Sequence, residues 1–216
     1  AYPWAFYCLA VALDVLLFAN VAFSLPRELR LPISVLMHKG GLGVAMFVLV
    51  MWIGVFPRGG VLSRAFRPIR AELSIMACLL IAGHMAVYAS SYIPYIAKGV
   101  LPQSNVFAAI VIAFVLLLLV LVLGITSLRA VKRRMKARTW KRVQNFAYLF
   151  YGLVLVHLAL MLGPTALSGS RVAQESVVVY AIVFGGYIVA RVWRAIVDRR
   201  ERIDLSATVM EQGFKG

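Results

Sequence analysis

The sequence predicts an all-α integral membrane protein, a six-helix transmembrane bundle. Three observations predict it. Hydrophobic residues make up 62% of the 216 residues and charged residues only 14%, with a mean hydropathy of +0.89. Soluble domains run nearer half apolar and a quarter charged. The apolar residues fall in unbroken blocks of about twenty, the length at which a helix crosses ~30 Å of hydrocarbon. Basic residues collect in alternate connections between those blocks. In lipid the spanning segments are helices or a closed barrel, and unbroken apolar runs exclude the barrel, whose strands alternate residue by residue.

Six blocks are expected to cross, in order Tyr2 to Phe23, Ser34 to Phe56, Glu72 to Ile93, Asn105 to Ile125, Gln144 to Leu162 and Ser176 to Ala195. Breakers separate them. Pro26 and Pro32 fall after the first block, and Pro57, Gly59 and Gly60 after the second. Pro94 and Pro102 flank the end of the third, and Gly163, Pro164 and Gly169 mark the end of the fifth. The fourth is the purest, nearly all Val, Ile and Leu from Val111 to Leu123. The first block lacks a basic n-region and a small-residue cleavage site, so it reads as a span and not as a removed signal. There is no internal repeat or second domain. Residues 1–198 are expected to form the bundle, and 199–216 a polar cytoplasmic tail.

Lys and Arg total 23 against 8 Asp and Glu, a net charge of +15. Arg58, Arg64, Arg67 and Arg70 follow the second block, eight basic residues from Arg129 to Arg142 follow the fourth, and Arg191, Arg194, Arg199, Arg200 and Arg202 close the sixth. Six crossings put all three groups on one side. The positive-inside rule makes that side cytoplasmic, with both termini there, in the cell (inner or plasma) membrane. Topology therefore explains the basicity, and no nucleic-acid motif accompanies it. The basic segment 129–142 is also suited to docking an anionic partner, a nucleotide phosphate or anionic lipid. Cys8 and Cys78 lie in apolar blocks outside any CxxC or CxxCH setting, which argues against c-type haem, iron–sulfur and zinc sites.

Ionisable side chains inside spans are costly and mark function by default. Here they are Asp14, His38, His84 and His157, which include every histidine of the chain. His84 lies twelve residues past Glu72 and His157 thirteen past Gln144, depths of ~18 Å and ~19.5 Å on helices entering from the same side. Two imidazoles at matched depth suit the two faces of one haem iron. They equally suit interhelical hydrogen bonds, the ordinary role of a lone intramembrane histidine. Ala82, Gly83 and Gly152 supply small neighbours through which a flat group approaches a helix. His38, in His38-Lys39-Gly40-Gly41, is compatible with an axial ligand, a propionate partner, a proton relay or an interfacial residue. Asp14 is compatible with a proton path or a structural hydrogen bond. Tyr2, Trp4, Trp52, Tyr92, Tyr95 and Trp140 read as interfacial anchors.

The set Leu123-Gly124-Ile125-Thr126-Ser127, then Trp140-Lys141-Arg142-Val143-Gln144, Tyr148 and His157, resembles the ferric reductase-like transmembrane domain. His38-Lys39-Gly40-Gly41 with Ala45, and the stretch Arg70 to Tyr88 around His84, agree with it. Within that group the pattern is most similar to the haem-binding membrane subunits of periplasmic methionine sulfoxide reductase systems. The likeness covers roughly residues 34 to 195. It implies a six-helix b-type cytochrome, with His84 and His157 binding the iron of haem b and His38 a further cofactor-binding candidate. It implies electron flow from a flavin or quinol donor to an extracytoplasmic acceptor, with FMN or a quinone as possible further cofactors and a separate redox protein as partner in the bilayer. One position departs from the pattern: Gln144 stands where relatives carry a histidine, and glutamine is not a usual haem ligand. One haem is therefore expected, in the outer half of the bilayer. No GxGxxG motif follows a strand, so electrons are expected to come from elsewhere. The chain reads as an electron-transfer subunit without catalytic residues of its own. The rival readings are a cofactor-free transporter or assembly scaffold with proton-relay histidines, and a quinol-linked reductase of metal ions.

Overall fold

The computed structural model of the chain describes residues 3–18, 26, 28, 40–57 and 59–213. Among the described residues there is no strand. The helices are α1 (Pro3–Phe18), α2 (Gly41–Ile53), α3 (Val61–Phe66), α4 (Arg70–Ala97), α5 (Ser104–Ser127), α6 (Arg129–Arg134), α7 (Ala137–Gln144), α8 (Phe146–Leu167) and α9 (Arg171–Gly213), with a 3₁₀ turn at Arg67–Ile69. Four helical segments are long and apolar enough to cross a membrane: Val61–Ala97, Ser104–Ser127, Ala137–Leu167 and Arg171–Glu201. Trp4–Leu16 and Gly41–Ile53 are shorter apolar helices. They belong to the first two expected blocks, of which Tyr2 and residues 19–23 and 34–39 lie outside the described residues. The chain is a multi-pass membrane protein.

Helix α4 is packed between α1 and α2 and also meets α5; α5 packs on α8, and α8 on α9. Side chains of α2 reach across to the far pair. Phe47 meets Phe150 of α8 edge-on, with ring centroids 4.4 Å apart, and Trp52 meets Tyr187 of α9. The core gathers Phe47, Met51, Leu116, Val120, Phe150, Tyr151, Phe184 and Tyr187. Outward-facing residues are apolar as well. Phe114, Ile182 and Val189 leave 62%, 68% and 70% of their surface open. In water such a surface would drive association; against acyl chains it is the expected exterior.

Two helix ends differ from expectation. Pro94 lies inside α4, and Gly163 and Pro164 lie inside α8. A proline within a helix removes the hydrogen bond to the carbonyl four residues earlier. For Pro164 that carbonyl is Leu160, and Asn105 Nδ2 of α5 donates to it at 3.2 Å. The neighbouring helix thus satisfies the freed group, which is how proline survives within spans. Asn105→Leu is therefore expected to lower stability by ~1 kcal/mol, the cost of orphaning a partly buried acceptor. In a Pro164→Ala background, where an N–H is restored, the same change should cost little. Unfolding of the purified variants in mixed micelles reads the difference.

The basic segment after α5 is two short helices, α6 and α7, and not an irregular loop. Helix α9 spans 43 residues, ~64 Å at 1.5 Å each, twice the hydrocarbon thickness. The division expected at residue 198 has no helix break, since α9 continues to Gly213.

Candidate functional site

His157 lies at the middle of α8, and its Nδ1 is 3.1 Å from the Ala109 carbonyl of α5. A carbonyl only accepts, so Nδ1 carries the proton and Nε2 is left with its lone pair. A backbone carbonyl on the other nitrogen is the common arrangement of metal-binding histidines, because it fixes tautomer and ring orientation together.

His84 lies at the middle of α4, and its ring rests against the start of α2. Gly40, the residue before α2, has φ +69°, and a β-carbon there would stand 3.0 Å from His84 Cγ. Only glycine combines that left-handed backbone with so close an approach. Three residues on, a β-carbon at Gly43 would press Ile81 at 2.9 Å. Gly83, beside His84, is the contact point for the Asp14 carboxylate of α1. The smallness of Gly83 thus admits a side chain of α1 rather than a flat group. On the other side, Tyr88 lies with its ring centroid 4.8 Å from that of His84, and Tyr92 stacks beyond it at 6.3 Å. This ladder at i, i+4, i+8 was visible in the sequence as helical spacing, where Tyr92 reads only as an anchor. Gly152, by contrast, has nothing near it. His38 lies outside the described residues, two positions before Gly40.

The neighbouring helices relate the two histidines by two routes. Along α2, Gly40 meets His84 and Phe47 meets Phe150, so equal steps of seven residues lead to His84 and to His157. Along α5, Gly124 meets Cys78 and Ala109 meets His157. Six residues separate Cys78 from His84 and fifteen separate Gly124 from Ala109, which sets His157 nine residues farther from the basic end, or ~13 Å. The two routes differ, giving equal heights along α2 and ~13 Å along α5, so these contacts do not set the two imidazoles at one depth. Among the described residues no cluster of three or more His, Cys, Asp or Glu could hold a metal.

The basic end is held by a polar clamp. Trp140 Nε1 of α7 donates to the Thr126 carbonyl at 3.0 Å, and Gln144 Nε2 donates to Thr126 Oγ1 at 3.0 Å. Thr126 Oγ1 in turn donates to Val122 O at 2.7 Å. Lys132 Nζ sits 4.3 Å from the Trp140 ring centroid, a cation–π contact. Trp140 is therefore a fastener between α5 and α7. Gln144, at the position where the resemblance leads one to expect a histidine, is engaged by α5. The buried Glu72 of α4 pairs with Arg129 at the start of α6. Nearby, Arg70 Nε donates to Val50 O at 3.2 Å and Arg191 Nε to the Tyr148 hydroxyl at 2.9 Å.

Comparison with known families decides the class. Residues 39–156 match the model of the ferric reductase like transmembrane component. The chain belongs to that family. The ferric reductase-like match includes His84, begins one residue after His38 and ends one residue before His157. A relative from Treponema pallidum (strain Nichols), described as an uncharacterized protein, is 37% identical over 186 residues, which is 84% of this chain and 51% of the relative. The chain thus spans about half the length of the curated relative it matches. No solved structure matches it. Family and helices together make the chain a membrane redox component.

Proposed function

We propose that the chain is a membrane b-type cytochrome unit that passes electrons through one haem held by His84 and His157. The observation that carries the reading is the hydrogen bond from His157 Nδ1 to Ala109 O. It presents Nε2 as a pre-oriented metal-binding nitrogen on a midspan residue. Family membership supports it, since ferric reductase-like components often bind haem. Haem, when bound, supplies one-electron cycling of its iron. The chain's own residues orient the imidazoles, enclose the site in an apolar bundle and exclude water from it. His38, close in sequence to the Gly40 contact, is a further cofactor-binding candidate. The basic end faces the cytoplasm with both termini, in the cell membrane. There a flavin, FMN included, or a quinol donates electrons, and an extracytoplasmic redox protein accepts them, as in the methionine sulfoxide reductase systems that the motifs resemble.

The test is a dithionite-reduced minus oxidised spectrum of the purified chain from haem-replete cells. A b-type α band is the expected result; a folded protein with no haem band would overturn the reading. A second prediction concerns the basic end. Restoring histidine with Gln144→His should leave the stoichiometry at one haem per chain. The α4 residues thirteen and fourteen before His84 are Ala71 and Arg70, neither of which binds haem iron. A pyridine haemochrome assay against protein concentration reads this directly.

A further inference from the structure

An apolar groove of about 210 Å³ runs between α4 and α5 at the basic end of the bundle. Ile75, Cys78 and Ala82 of α4 form one wall, and Leu121, Gly124 and Ile125 of α5 the other. Gly124 deepens it, since a β-carbon there would stand 3.3 Å from Cys78 Sγ. Leu121 and Ile125 are exposed, so the groove opens sideways towards lipid. Along α4 it extends over seven steps from Ile75 to Ala82, ~10 Å. Its lower mouth is Leu128, and the next residues are the helix Arg129-Ala130-Val131-Lys132-Arg133-Arg134.

These features meet in one place. An apolar slot between two spans ends against four cations in six residues. Arg129 is engaged by Glu72 and Lys132 by the Trp140 ring. Arg133 and Arg134 are exposed and have no acidic partner among the described residues. A basic pocket between spans at the membrane surface is the recognised setting for an anionic lipid headgroup. We infer that this groove holds one acyl chain of an anionic phospholipid whose phosphate lies against Arg133 and Arg134. The site is separate from the histidine pair and does not rest on the haem reading. Charge complementarity selects the headgroup, and the groove selects a lipid over a soluble phosphate.

The experiment is native mass spectrometry of the full chain after delipidation, titrated with phosphatidylglycerol and with phosphatidylcholine of the same acyl chains. One phosphatidylglycerol should be retained about tenfold more tightly than phosphatidylcholine, and inorganic phosphate should not displace it. Arg133→Gln with Arg134→Gln should bring the two lipids level. Ala82→Phe and Leu121→Trp, two independent ways of filling the groove, should weaken phosphatidylglycerol retention with the cations intact. Size-exclusion profile and unfolding midpoint establish that each variant is folded. Equal retention of the two lipids by the parent chain, displacement by phosphate, or retention unchanged when the groove is filled would each overturn the inference.

Discussion

His157→Ala is expected to abolish the haem band of the purified chain. The substitution removes the ring whose Nε2 is presented for iron and vacates the donor to Ala109. Losing that hydrogen bond alone costs ~1 kcal/mol, too little to unfold a bundle of this size. The loss of colour should therefore occur in a folded protein. His157→Gln refines the test, because its amide retains a donor for the carbonyl but is not a usual haem ligand. It should resemble His157→Ala in haem content and the parent in stability. Added imidazole should restore part of the absorption to His157→Ala, since a small ligand fills the space the ring leaves. His84→Ala should behave likewise. Haem content unchanged in both alanine variants would remove these residues from the site.

A stability effect that a second substitution should relieve is expected at Gly83. A β-carbon there collides with the Asp14 carboxylate, and both helices are committed to other contacts. Helix α1 packs Ala10 against Met76 and Leu80 of α4, and α4 packs Ile81 against Gly43 of α2. Overpacking of this kind costs ~1–3 kcal/mol. Gly83→Ala should fall towards the lower end of that range, ~1–2 kcal/mol, because the obstacle is the far end of a side chain and not backbone. Asp14→Ala alone should be mild. Combined with Gly83→Ala it should recover most of the loss, giving a coupling of ~1–2 kcal/mol in a double-mutant cycle. Additive losses would show that Asp14 does not meet Gly83.

The fold was largely legible because unbroken apolar runs leave lipid few alternatives to helix. Four long helices follow from that pattern, with ends misplaced where a distant residue changes the local rule. Pro164 reads as a stop, yet Asn105, fifty-nine residues earlier, supplies the bond that lets α8 continue. The segment 129–144 reads as charge alone, because the pairing of Trp140 and Gln144 with Thr126 is tertiary and leaves no periodic trace. The histidines were legible as costly midspan groups. Their surroundings were less so. Small residues beside His84 suggest room for a flat ligand, whereas Gly83 receives Asp14 and Gly40, just ahead of α2, lies against the ring. Smallness in a sequence shows that something approaches closely and does not say what.

Low-temperature electron paramagnetic resonance of the oxidised, purified chain, taken with haem quantification on the same sample, bears most directly on the haem clasp. One haem b per chain with a low-spin, bis-imidazole signal is expected, replaced by a high-spin signal or by loss of haem in His84→Ala and in His157→Ala. A folded chain with no haem, or a low-spin signal that survives either substitution, would contradict a porphyrin held between α4 and α8.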